Sequence, residues 1–159
     1  MKQLVLLAFI SLLFASCSKN LVPLTSSLVE EKGWSETDLQ RIQFYTSNDI
    51  IIQREFRNNE TDIVSGKVRM VDGRKVEEVK IKKGTPGVVI YSPREKKLKI
   101  SFEKDDLTYL SFGPNPDRGK RFYLLADEWN NKIGKVHYQG KEYYTSPRSA
   151  DVFLMVDLE

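Results

Sequence analysis

Beyond residue 44 short runs rich in apolar, β-branched and aromatic residues, separated by turn residues, predict strands. Such runs cover residues 49–56, 66–71, 74–82, 88–91, 98–102, 107–112, 121–126, 133–138 and 141–145. A nearly unbroken apolar run at 152–158 predicts a buried closing strand. Asp72-Gly73 and Gln139-Gly140 read as two-residue hairpin turns, and residues 92–95 as a longer turn. Residues 113–119, with two prolines between glycines, read as a loop. Around the 139–140 turn the register sets His137 opposite Glu142 and Lys135 beside Tyr144, with Val136 against Tyr143 on the other face. One conflict remains. Val76 has the opposite parity to Val79 and Ile81, so burying all three on one face requires a bulge near Glu77-Glu78.

Helical signals are confined to the start of the chain. Ser35 can N-cap, Asp38 completes a short-armed capping box, and Leu39 and Ile42 give one apolar face to a helix over 36–43. Residues 26–32 add another turn, stopped by Gly33. The chain is therefore expected to be mostly β, an antiparallel β-sandwich or barrel of roughly nine or ten short strands with one short N-terminal helix.

Composition narrows the function classes. A chain of 159 residues with 40% hydrophobic and 30% charged residues suits one globular domain and excludes a disordered, collagenous or repeat protein. A net charge of +3 is too small for a nucleic-acid binder. One Cys and one His exclude a disulfide framework, a Cys-based zinc site and a His pair, so no metal and no cofactor are expected.

The first residues carry an address. A basic start at Lys2 precedes an apolar run over 4–14, too short to span a bilayer, and then Phe14-Ala15-Ser16-Cys17. This segment resembles the signal peptide and lipobox of bacterial lipoproteins, with Phe at a position where Leu is commoner, as in Bacteroidota-type lipoboxes. The segment 66–75, Gly-Lys-Val-Arg-Met-Val-Asp-Gly-Arg-Lys, is also similar to short Bacteroidota lipoproteins, and that likeness brings no function with it. The resemblance implies removal of 1–16, lipidation (palmitate among the acyl chains) at Cys17, and a membrane anchor through the N-terminal lipid. Two or three acyl chains, at about 0.8 kcal/mol per buried CH₂, make such an anchor effectively permanent. No acidic residue follows Cys17 before Glu30. By the same resemblance this implies an outer-membrane, lipid-anchored, periplasm-facing protein of a bacterial cell envelope. Residues 17–27 read as the lipidated Cys and its tether, and 28–159 as a single β-rich domain.

Few residues invite chemistry. His137 with Glu142 reads as a general-base pair or as a cross-strand polar pair on a solvated face. Residues 113–120 end in Gly119-Lys120, but five residues separate the glycines, Arg121 follows the Lys, and Pro114 and Pro116 remove N–H donors, so this is no phosphate loop. A rigid basic loop with Arg118, Lys120 and Arg121 remains as a partner contact. The acid pairs at 30–31, 77–78, 105–106 and 127–128 read as solvated turns. Trp129, beside Asn130 and Asn131 in an expected turn, is a candidate to stack on a sugar or a partner. Between residues 74 and 104 lie ten Lys/Arg against four acids. Lys80 and Lys82 alternate with Val79 and Ile81, and Lys97 and Lys99 with Leu98 and Ile100. One sheet would thereby bury its aliphatics and present lysines outward, either as edge protection or as a contact for an anionic envelope component or an acidic protein.

Without a catalytic motif, the expected function is that of a non-enzymatic accessory or scaffold subunit of a cell-envelope assembly, acting through protein–protein interaction with another envelope protein. The alternative is a periplasm-facing β-barrel carrier or binding protein for an apolar or glycan ligand. The third is an envelope hydrolase using His137 and a nearby acid.

Overall fold

A computed structural model describes residues 19–56, 66–91, 97–103 and 108–158. The lipobox, the 92–95 turn, Lys104 and the 105–106 acid pair lie outside these residues. The first strand, β1 (Leu21–Pro23), leads into helices α1 (Ser26–Lys32) and α2 (Glu36–Arg41). Then come β2 (Gln43–Thr46), β3 (Ile50–Glu55), β4 (Lys67–Val71), β5 (Arg74–Ile81), β6 (Pro86–Tyr91) and β7 (Leu98–Ser101). The chain closes with β8 (Tyr109–Asn115), β9 (Arg121–Leu124), β10 (Glu128–Asn130), β11 (Ile133–Tyr138), β12 (Lys141–Thr145) and β13 (Leu154–Asp157).

These strands form two antiparallel sheets, the expected mostly-β class. The seven-stranded sheet has the order β1-β13-β2-β6-β7-β8-β9, and the six-stranded sheet the order β10-β11-β12-β3-β5-β4. The chain crosses between sheets after β2, β5, β9 and β12. The two ends of the seven-stranded order meet, because Thr25 bridges Arg121 and Phe153 bridges Tyr123. Backbone bonds from Phe122 N–H to the Leu24 carbonyl (3.1 Å) and from Leu124 N–H to the Val152 carbonyl (3.0 Å) close the seam. One hydrophobic cluster joins both sheets, with Phe44, Ile50, Ile52, Leu98, Ile100, Phe112, Tyr138, Tyr143 and Leu154 fully enclosed.

Local signals set the local structure. Ser35 and Asp38 form the capping box of α2, with the Asp38 carboxylate accepting the Ser35 N–H at 2.9 Å. Residues 26–32 are a full helix capped by Thr25, and Gly33 ends it at φ +63°. Asp72 and Gly73 both take positive φ, which is the turn that a two-residue hairpin requires.

Several expectations are corrected. The tether does not run to residue 27, because β1 pairs with β13 from Leu21 and Leu24 is fully buried. The 36–43 helix stops at Arg41, since Gln43 already pairs with Val88. The 113–119 loop is instead the end of β8, with Gly113 opposite Tyr123, followed by a 3₁₀ turn at Pro116–Arg118. Trp129 lies on β10 rather than in a turn. Thirteen strands occur among the described residues, because the sequence reading missed the three-residue strands β1 and β10 and passed over β2. Burial in β13 alternates, with Leu154 and Val156 enclosed and Met155 and Asp157 half-buried.

No bulge interrupts β5. It pairs with β3 in unbroken register from Ile81 opposite Ile50 to Val76 opposite Glu55. The parity conflict resolves differently. Val79 and Ile81 face inward, Val76 is buried on the outer face, and Glu77 faces the core.

Candidate functional site

Glu77 is fully enclosed, so the solvated-turn reading of the 77–78 pair fails for it. Its register partner on β3 is Arg54, 7% exposed, whose Nε donates to Glu77 Oε2 at 2.7 Å. Glu77 Oε1 accepts the Gly66 N–H at 3.1 Å. The guanidinium lies 5.8 Å from the centre of the Tyr143 ring, and burial pushes the Tyr143 phenol above its ordinary pKa. This interior pair fastens β3 to β5 and to the chain entering β4. It faces the core and is structural.

The outer face of the six-stranded sheet offers more. The register aligns Lys135, Tyr144, Gln53, Glu78 and Lys67 in one row across five strands. A groove of about 1030 Å³ opens there, walled by Gln53, Glu55, Val71, Arg74, Val76 and Tyr144. A second hollow of about 350 Å³ is lined by Glu128, Asn130 and Lys135. Ile133 and Tyr144 line both, and they stand 43% and 48% exposed between the two.

Paired polar groups frame these apolar positions. Gln53 Nε2 donates to Glu78 at 2.7 Å, and Arg69 reaches the same carboxylate at 3.1 Å. Arg74 meets Glu55 at 2.6 Å. Lys135 sits 3.8 Å from both Glu128 and Glu142. Tyr144 donates its hydroxyl proton to Glu142 at 2.7 Å, which favours the neutral phenol and raises its pKa. Both signs of charge alternate, so the face suits no purely anionic ligand.

His137 lies opposite Glu142 in register, but its Nδ1 is 2.8 Å from Asp127 Oδ2 instead. Both side chains are more than half exposed.

The basic block does not form one surface. Lys80 is on β5 in the six-stranded sheet, with Lys82 just past that strand's end, whereas Lys99 is on β7 in the seven-stranded sheet, with Lys97 just before it. Lys80 pairs with Asp49 at 2.6 Å, and Lys99 lies over the Tyr109 ring at 4.5 Å. The 118–121 cations sit at the seam of the seven-stranded sheet. Arg118 pairs with Asp151 at 2.7 Å and covers Tyr123, Arg121 covers Phe153, and the Lys120 carbonyl accepts the Ser26 N–H. Trp129 lies against the backbone of Gly134, where a Cβ would come within 2.7 Å of the indole. By strand alternation it points away from Glu128 and Asn130, and so away from the hollow that they line. Sequence reasoning missed Tyr144 and Ile133 as a site because their neighbours on the face come from other hairpins.

Among the described residues there is no group of three or more metal-ligating side chains, and no helix is long and apolar enough to cross a membrane. Comparison with protein-family models, curated proteins and solved structures returned no match, so the reading of the site rests on its geometry.

Proposed function

We propose that this chain is a lipid-anchored, non-enzymatic accessory subunit of a bacterial cell-envelope assembly, which receives a protein partner on the outer face of its six-stranded sheet. The observation that carries the reading is the exposed Tyr144–Ile133 pair between two hollows, ringed by paired charges. An aromatic-aliphatic centre with a polar rim is the composition of a protein-binding patch. The alternating charges favour a partner with matching donors and acceptors over a lipid headgroup.

Lipidation at Cys17 fits this arrangement. Lys19, two residues later, donates to the Tyr45 hydroxyl at 2.9 Å and lies over that ring at 4.3 Å. Two residues span at most ~7 Å, so an acylated Cys17 would hold the domain against the bilayer surface. An apolar-ligand carrier is less well supported, because it needs roughly 300 Å³ or more enclosed between the sheets, whereas the two hollows described open on the outer face. The space between the sheets holds Phe44, Phe112, Tyr138 and Tyr143, all enclosed.

The test is in-cell cross-linking of the tagged full chain, mild membrane solubilisation and co-purification. A stoichiometric protein partner is expected, lost in Tyr144→Ala and Ile133→Glu while the melting temperature holds. Recovery of the chain with lipid or glycan but no protein would overturn the reading.

A further inference from the structure

Among the described residues the six-stranded sheet leaves one long edge without a partner strand. At its other end β10 has only three residues, and the ends of the seven-stranded sheet meet at the Thr25 and Phe153 bridges. β4 pairs with β5 on one side only among the described residues, and all five of its residues are exposed. Met70 is 69% exposed, with Val68 and Val71 beside it. In a two-residue hairpin the residues flanking the turn, here Val71 and Arg74, exchange both backbone bonds, and bonded pairs then alternate. The N–H and C=O groups of Val68 and Met70 therefore point away from β5. Charged residues commonly guard such edges, yet here the two residues with outward backbone groups are apolar.

We infer that β4 accepts an added strand from an extended, acidic segment of the partner protein. This deepens the docking proposal above and rests on it. Charge selects the occupant. Residues 67–75 carry Lys67, Arg69, Arg74 and Lys75 against Asp72, and even with Glu78 and Glu55, which Arg69 and Arg74 meet, the cations at this edge outnumber the acids four to three. A second copy is disfavoured, because antiparallel self-pairing centred on β4 sets Arg69 opposite Arg69 with Lys67 of each strand on the same face. An acidic strand meets those cations, while main-chain bonds at Val68 and Met70 supply the pairing and Met70 its apolar contact.

The experiment places a photo-cross-linking amino acid at position 70 or at position 144 of the full chain in cells, with mass spectrometry of the captured peptide. Position 70 is expected to capture an acidic segment of another protein. Val68→Pro removes an edge N–H and leaves the β5 ladder intact, so it should cut capture about tenfold with the melting temperature held. If that variant melts early, Lys67→Glu with Arg69→Glu serves instead and should give the same loss. Capture of a second copy, of lipid alone or of nothing at position 70 overturns the inference, as does insensitivity to these substitutions. Capture at position 144 but not at 70 removes the strand addition and leaves the docking face standing, whereas silence at both removes both.

Discussion

Removing one member of the Arg54–Glu77 pair should destabilise the fold more than any surface change. Arg54 is 7% exposed and Glu77 is fully enclosed, with a 2.7 Å hydrogen bond between them. A Glu77→Leu variant leaves the guanidinium without its carboxylate and the Gly66 N–H without its acceptor. An Arg54→Leu variant leaves a buried carboxylate. Breaking such a pair from one side costs about 3–5 kcal/mol, because an uncompensated charge stays out of water. At roughly 2–4 °C per kcal/mol for a chain of this size, each single variant should melt about 6–20 °C lower. Replacing both residues with Leu removes both charges together and should return to within ~2 kcal/mol of the parent. The assay is urea unfolding of the full chain and its three variants, read as a double-mutant cycle. Strictly additive losses in the double variant, or a Glu77→Leu cost under about 1 kcal/mol, would refute the claim that the pair is a desolvated unit.

Gly87→Ala should cost about 1–3 kcal/mol by overpacking, because a Cβ there would lie 2.6 Å from Ile100 Cγ2 and 2.8 Å from the Phe102 ring; urea midpoints check it, and an unchanged midpoint contradicts the close approach of β6 to β7. The Asp151 carboxylate is held below the ordinary value by the hydrogen bond from Arg118, and Asp49 by the one from Lys80 and then the Lys83 N–H. A depressed folded pKa makes their contribution present above the unfolded pKa and lost as pH falls through the folded one, so stability should drop below about pH 4. Asp151→Asn should flatten that slope in urea titrations, and an unchanged slope would count against the Arg118 contact.

Features that depend on neighbours along the chain are legible in the amino-acid order alone. Apolar-rich runs between turn residues located most strands, Ser35 and Asp38 marked the cap of α2, and Gln139-Gly140 set the register that places Lys135 by Tyr144 and Val136 by Tyr143. These follow from backbone sterics and short-range hydrogen bonds, which are the same wherever the segment sits. Features that need a distant partner emerge only once the strands assemble. The odd parity of Val76 is legible in the chain, but a bulge and an inward-facing acid explain it equally until Arg54, 23 residues away, is seen to meet Glu77. Likewise, Lys80 and Lys99 follow the same local pattern yet lie in different sheets. His137 takes Asp127 rather than the Glu142 opposite it. Arg118 and Arg121 close a seam rather than form a free basic loop. Tyr144 and Ile133 border the groove only because β3, and β5 beyond it, continue the sheet from β12, since which strands are neighbours depends on non-local pairing that local pattern does not encode.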